Sequence, residues 1–386
     1  MRQLITYSQR IVIKLGTGLL TTSEGRLDHD IINNLVGQIA GLIGQGRQVV
    51  LVSSGAIGAG FSLLHQTKRP KTLPLLQASA SVGQAKLMRL YDDLFSSHDI
   101  TVAQILLTRD DLKIRKRHLN IRNTLNTLLQ HDVLPIINEN DTVSVDEIRF
   151  GDNDLLSALV SNLIQADLLI NLTSVDGLME KAQDGTLHPT KIIHQLVGVP
   201  KSAMSHSTRA TSKLGSGGMN AKLQAAKILT TAGEFMVIAN GRKENILEKI
   251  LSGEEIGTLF VPTKARMDSR KRWIAFFHQS KGKIIIDHGA QNALILNGKS
   301  LLPSGIKDVK GSFDMGDIVL IYNEDGEEIG KGLVNYSHTD VKKIAGHHTK
   351  EIDLLLGDRS YDEVIHRNNL VITLMVEDPA QPQEES

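Results

Sequence analysis

Between residues 8 and 262 the apolar positions keep switching between two periods. After Arg10, Ile11-Val12-Ile13-Lys14-Leu15 is an apolar run broken only by its lysine, and it ends on a glycine turn, Gly16-Thr17-Gly18. Such a run predicts a strand buried on both faces. Ile31, Ile32, Leu35, Val36, Ile39, Leu42 and Ile43 then fall on one face of a helix, which Gly44 and Gly46 end. Residues 48–53, 100–107, 133–138 and 167–172 repeat the strand pattern. Residues 73–95, 117–130 and 154–165 repeat the helical one. Alternation of this kind predicts an α/β fold, a mainly parallel sheet with helices on both faces.

In that architecture ligands collect beyond the carboxyl ends of the strands. The short polar clusters sit there: Lys14-Leu15-Gly16, Ser53-Ser54-Gly55, Asn138-Glu139-Asn140-Asp141 and Thr173-Ser174. A lysine inside an apolar strand costs free energy unless its ammonium emerges at a functional edge. Ser53 and Ser54 could donate to a carboxylate, and Gly55 would open a helix whose first N–H groups face an anion. The bland alternative for this turn is an ordinary helix cap.

The most informative run is Gly215-Ser216-Gly217-Gly218-Met219-Asn220-Ala221-Lys222. Glycines precede a helix that runs to Gly233, and a lysine follows one turn in. Backbone without side chains can approach a phosphate, and the first helical N–H groups are unpaired. Lys222 would add a full charge. Neither a G-x-x-x-x-G-K-[ST] string nor an intact G-x-G-x-x-G occurs in the chain, so the phosphate chemistry belongs to neither of those loops. Phosphoryl transfer needs positioning and charge neutralisation above all. Lys14 and Lys222 can supply the cations, and Gly16 and Gly18 can bring backbone N–H groups to the phosphates. The run Asn138-Glu139-Asn140-Asp141, followed by Gly151-Asp152-Asn153-Asp154, could orient those lysines or bind a substrate ammonium. Turn chemistry is the alternative for the same residues.

Past residue 262 the pattern changes. Residues 263–278 begin with a basic, polar stretch and read as a linker. Residues 279–375 carry short strands with glycine turns, including residues 283–286, residues 317–322 and the hairpin turn Asn323-Glu324-Asp325-Gly326. Residues 376–386 are rich in Pro, Glu and Gln and read as a disordered tail.

Composition narrows the function. The chain has 386 residues, 41% of them hydrophobic, enough for two cores. Lys plus Arg and Asp plus Glu each number 43, so no global field attracts nucleic acid or an anionic membrane. There is no cysteine, which removes disulfides, thiolate metal sites and thiol nucleophiles. His347-His348 has no ligand partners at metal spacing, and no metal-ligating residues are assigned. Residues 1–7 lack the apolar stretch of a signal peptide, and no segment approaches the ~20 apolar residues of a membrane span. A cytoplasmic protein is expected.

The strings Lys14-Leu15-Gly16-Thr17, Ser53-Ser54-Gly55-Ala56-Ile57, Ile137-Asn138-Glu139-Asn140-Asp141, Gly151-Asp152-Asn153-Asp154 and Gly217-Gly218-Met219-x-x-Lys222 together resemble the amino acid kinase family. Residues 300–306 (Ser-Leu-Leu-Pro-Ser-Gly-Ile) and 344–348 (Ile-Ala-Gly-His-His) resemble a PUA domain. The resemblance implies a three-layer α/β/α kinase domain over residues 8–262 and a small β-rich PUA domain over residues 279–375. Within the family it is similar to the branch that uses ATP to phosphorylate the side-chain carboxylate of L-glutamate, the first step of proline synthesis. It implies Mg²⁺ accompanying ATP, proline as a feedback inhibitor, and a homo-oligomer, dimer or tetramer. Carried onto this sequence, Lys14 and Lys222 are the phosphate-neutralising lysines and Asp154 the residue that organises them. Ser54, Asp141 and Asn153 take the glutamate. Lys14, Gly16, Thr173, Ser174, Ser216, Gly217, Gly218, Met219, Asn220, Ala221 and Lys222 form the nucleotide site. In one respect the chain departs from the pattern: the family commonly has Asp where Ser174 stands.

Two rival readings are a sister kinase with another acceptor and an RNA-binding PUA protein. The PUA-like tail argues against the first. Residues 279–375 hold 11 Lys and Arg against 14 Asp and Glu, the wrong sign for neutralising nucleic-acid phosphates.

Overall fold

The computed structural model describes residues 1–22, 24–66, 70–143, 153–181, 187–200, 202–203, 218–263, 265–277, 280–357 and 361–373. The chain divides into two compact units, one spanning Met1–Arg266 and the other Met267–Met375.

The first unit carries, in chain order, α1 (Arg2–Ile5), β1 (Arg10–Leu15), α2 (Thr17–Leu20), α3 (His29–Gly44), β2 (Gln48–Val52), α4 (Ala56–Phe61), α5 (Leu73–Ser96), β3 (Val102–Leu107), α6 (Arg109–Lys113) and α7 (Arg115–Gln130). There follow β4 (Leu134–Glu139), α8 (Asn153–Ile164), β5 (Leu168–Thr173), β6 (Met179–Lys181), β7 (Leu187–Ile192), β8 (Gln195–Val197), α9 (Met219–Ala232), β9 (Phe235–Asn240), α10 (Ile246–Leu251) and β10 (Thr258–Val261). The elements read from periodicity lie within two residues of these bounds.

One eight-stranded sheet orders them β3-β4-β2-β1-β5-β9-β10-β8. Neighbours run parallel except β9 and β10. The chain leaves β1 toward β2 on one side and returns to its other side at β5. The carboxyl end of β1 is therefore a switch point flanked by β2 and β5. Side chains alternate across β1. Ile11, Ile13 and Leu15 join a core with Ile32, Leu35 and Ile39 of α3. Lys14 falls on the opposite face, against which α8 packs. The helix α3 forms because its apolar stripe is buried and because Asp28 caps its first turn through Ile31 N–H.

Two glycines let α4 and α5 touch backbone to backbone. A Cβ on Gly60 would stand 1.9 Å from the Ser79 carbonyl oxygen, and one on Gly83 would stand 1.8 Å from that of Ala56. Neither position accepts a side chain.

The second unit has a five-stranded sheet in the order β12-β11-β13-β14-β15. Its strands are β11 (Gly282–Ile286), β12 (Ile306–Gly311), β13 (Ile318–Tyr322), β14 (Glu328–Leu333) and β15 (Leu370–Ile372). Gly326, at φ 80°, makes the turn between β13 and β14 that the sequence announced. The core of this unit, built on Ile284, Val319, Ile321 and Ile329, also takes in residues from helices at His288–Ile295, His338–Ile344 and Ile352–Leu356 that the strand pattern did not announce. Residues 269–277, inside the stretch read as a linker, are helical, with Arg272, Trp273, Ile274 and Phe277 buried.

Candidate active site

Three charged side chains meet at the carboxyl end of β1. Lys14 Nζ donates to Asp154 Oδ1 at 2.5 Å, and Lys222 Nζ donates to Asp154 Oδ2 at 2.9 Å. Asp154 is fully buried in the first turn of α8, and Lys14 and Lys222 are each about 5% exposed or less. Each arrives for a local reason. Lys14 is the residue of β1 that alternation turns toward α8. Asp154 stands where an acid complements a helix N-terminus. Lys222 lies one turn into α9, whose cap, Gly218, closes the helix start with no side-chain hydrogen bond.

A fourth residue completes the cluster. Asn171 lies directly across from Lys14 in the β1–β5 pair, and its Nδ2 donates to Asp154 Oδ1 at 2.8 Å. Its Oδ1 is buried with no hydrogen-bond partner. The signal was present in the sequence: an asparagine interrupting the apolar run of a core strand.

Burial alone would push the Asp154 carboxyl up, but the two ammonium groups overcome it and hold the acid at about 2. Burial draws Lys14 below its ordinary value; Asp154 opposes this and Lys222 adds to it. Two buried ammonium groups meet at one buried carboxylate, and an anionic ligand brought beside them would gain from both charges.

The glycine turn contributes differently from expectation. The N–H of Gly16 is taken by the Leu172 carbonyl at 3.0 Å, so it is not free for a phosphate. What Gly16 supplies is space: a Cβ there would be 3.6 Å from Lys14 Nζ. Thr173 is half-buried at the end of β5, and the exposed Ser174 brings its Oγ to 3.6 Å from where a Gly18 Cβ would be. Gly218, Met219, Asn220 and Ala221 cap and open α9. Ser216 and Gly217 lie outside the described residues, as do Gly151 and Asp152.

Beside the charged cluster lies a polar one. Asn153 Nδ2 donates to Ser54 Oγ and to Asn138 Oδ1, both at 3.0 Å. Asn138 Nδ2 donates to Gln84 Oε1 at 2.8 Å. Ser54 follows β2, Asn138 lies in β4, Asn153 opens α8 and Gln84 lies in α5, so four elements converge. Asp141 stands half-buried just past β4, in a turn that Asn140 N–H ties to the Leu107 carbonyl at 2.9 Å. Ser53 does not face the site: it is fully buried, and its Oγ is 2.8 Å from Tyr91 OH. Gly55, at φ 96°, caps α4, but α4 has only six residues and takes its first bond back to Gly55 itself. Sequence reasoning missed Gln84, Tyr91 and Asn171, and it quoted Asn138 without giving it a role. Gln84 and Tyr91 sit on a long helix whose pattern reports only its apolar stripe.

The arrangement can hold an anion against two lysines and a small polar molecule against Ser54 and Asn153. Comparison with known proteins identifies the family. The amino acid kinase family matches residues 9–240, and the PUA domain matches residues 282–356. The chain is 49% identical over 364 residues to a glutamate 5-kinase of Caldanaerobacter subterraneus subsp. tengcongensis, covering 94% of this chain and 97% of that protein. It is 47% identical over 371 residues to a glutamate 5-kinase of Geobacter sp. strain M21, covering 96% and 99%. It is 46% identical over 371 residues to one from Syntrophotalea carbinolica, again covering 96% and 99%.

Proposed function

The chain belongs to the amino acid kinase family, among the glutamate 5-kinases, and from that premise we propose that it moves the γ-phosphoryl group of ATP onto the side-chain carboxylate of L-glutamate. The bond between the γ-phosphorus and the β,γ-bridging oxygen breaks, a bond from a carboxylate oxygen to that phosphorus forms, and ADP leaves. The observation that carries this reading is the buried pair of lysines that share Asp154 at the carboxyl end of β1. Lys14 and Lys222 neutralise the phosphates as charge moves toward ADP. Asp154 holds the two ammonium groups apart and in place.

The acceptor explains why no base is needed. A carboxylate is already ionised at neutral pH, so nothing has to be deprotonated. Asp154, held at about 2, could not accept a proton there in any case. Its Oδ1 accepts from Lys14 and Asn171 and its Oδ2 from Lys222, so the carboxylate serves to place the two ammonium groups. Among the described residues no three His, Asp or Glu side chains gather. In our reading magnesium comes to the site with the phosphates of ATP. Ser54, Asn153 and Asp141 hold glutamate. Gly218 to Lys222, with Thr173 and Ser174, hold the nucleotide.

Proline shares the α-carboxylate and cationic nitrogen of glutamate, so in our reading it inhibits by overlapping the glutamate site. Inhibition that glutamate cannot relieve would refute the overlap. The class is tested by ADP release with glutamate, aspartate, N-acetylglutamate and UMP. Turnover selective for glutamate is expected; turnover of another acceptor in its place would overturn the assignment.

A further inference from the structure

Three side-chain amides run in series behind the polar cluster, and their polarity is set at Asn138, where the Glu139 backbone N–H and Gln84 Oε1 act together. Asn138 Oδ1 accepts from Asn153 Nδ2 at 3.0 Å and from Glu139 N–H at 2.9 Å, while Asn138 Nδ2 donates to Gln84 Oε1 at 2.8 Å. Turning the Asn138 amide over would set its NH₂ against two other donors and its oxygen against the oxygen of Gln84. With Asn138 locked, Asn153 must point its NH₂ inward, to Asn138 and Ser54. Two groups are then left over. Among the described residues Asn153 Oδ1 is buried and has no partner, and Ser54 Oγ, already an acceptor, keeps its own proton to donate.

An unpaired acceptor beside an available hydroxyl donor matches the ammonium and carboxylate of an α-amino acid. Gln84 itself is held firmly. The adjacent Gly83 packs against the backbone of α4. Two turns on, Tyr91 is tied to Ser53. We propose that Gln84 is a positioning residue for the acceptor substrate: through Asn138 it sets the polarity of Asn153 and thereby selects a free α-ammonium group. The inference rests on the reading of Ser54 and Asn153 as the glutamate site.

The test is steady-state kinetics of the full chain with Gln84→Met, which removes the acceptor, and Gln84→Glu, which keeps it. Gln84→Met should raise KM for glutamate by about tenfold, the scale of one unpaired buried hydrogen-bonding group, and should leave kcat and KM for ATP within about twofold. It should also narrow the preference for glutamate over N-acetylglutamate, which lacks the ammonium. Gln84→Glu should recover most of the KM. An unchanged KM in Gln84→Met, an equal loss in kcat and in KM for ATP, or no recovery in Gln84→Glu overturns the proposal. Should Gln84→Met not fold, the glutamate KM of Gln84→Glu decides alone: a rise of tenfold there overturns it. Asn153→Ala separates the two levels. If it leaves KM for glutamate unchanged, the glutamate-site reading fails; if it raises KM while Gln84→Met does not, only the relay fails.

Discussion

Lys14 and Lys222 hold opposite oxygens of one carboxylate, at 2.5 and 2.9 Å from Asp154. Asp154 is thus the carboxylate that both buried ammonium groups share, and stability and catalysis should respond differently to the removal of each charge. Lys14→Met and Lys222→Met each leave a neutral pair, so Tm should hold or rise. In each case kcat should fall about 10²–10³-fold for the loss of one preorganised charge. Asp154→Asn leaves two buried cations without an anion. It should lose kcat as severely and also cost stability, on the order of 3–5 kcal/mol. Thermal denaturation read beside kinetics checks the contrast; a Tm that falls more in the lysine variants than in Asp154→Asn would refute it.

The pH dependence follows from the same three groups. Asp154 is held at about 2, below its ordinary 3.8. Its contribution to stability is complete above pH 3.8 and is lost as pH falls toward 2. Lys14 is drawn below its ordinary 10.5 by burial, and the slope has the same sign in a different window. Between its folded value and 10.5 the unfolded chain binds more protons, so stability gains from this group as pH rises. Activity should therefore decline on the alkaline side, below pH 10.5, without unfolding. The decline should begin at lower pH in kcat/KM for ATP than in kcat, because a phosphate beside Lys14 favours its charged form. A pH–rate profile measured with a parallel circular dichroism series tests this. Alkaline loss that tracks unfolding would contradict it.

Two buried lysines at one site also predict stabilisation by an anion that fits it. ADP at one hundred times its Kd should add about 2.7 kcal/mol and raise Tm by several degrees. Lys222→Met should lose most of that shift. Sodium chloride at equal ionic strength should not reproduce it. An equal ADP shift in Lys222→Met would place the nucleotide elsewhere.

Much of this was legible in the sequence because of where its signals came from. A lysine within an apolar strand, glycines before a helix and acids at a helix start are local patterns, and they led to Lys14, Lys222 and Asp154. The strand ends carried Ser54 and Asn153 to the same edge, since parallel topology leaves little choice. The residues that were missed work through contacts between distant elements. Gln84 matters because Gly83 lets α5 lie on α4, and no local period encodes that approach. Asn171 matters because register sets it across from Lys14. Ser53 looked equivalent to Ser54, but alternation turned it toward Tyr91. The antiparallel pairing of β10 with β9 is equally invisible to a pattern read one strand at a time.

The two cores suggest where the chain can be cut. Among the described residues the buried core around β1 runs from Ile5 to Val261, and that of the second unit from Ile284 to Leu370. A chain ending at Arg266 should fold and retain glutamate-dependent ADP release. The endpoint matters. Arg266 donates to Asp167 Oδ1 at 3.1 Å, to the Ala166 carbonyl at 2.7 Å and to the Gln165 carbonyl. Asp167 in turn accepts the Gln9 and Arg10 N–H groups at 2.9 Å, holding the start of β1. Gly233, at φ 85°, closes α9 against the Arg266 backbone. Ending at residue 262 removes this clasp. The ion pair is partly exposed and worth little, but the hydrogen bonds to the two carbonyls contribute about 1 kcal/mol each. The chain 1–262 should therefore melt a few degrees below 1–266 while keeping its kcat, because Lys14, Asp154 and Lys222 do not touch the clasp. Circular dichroism melts and ADP-release assays on both lengths make the comparison. A folded but inactive 1–266 chain would mean that the second unit supports catalysis, and equal melting of the two lengths would mean that Arg266 holds nothing.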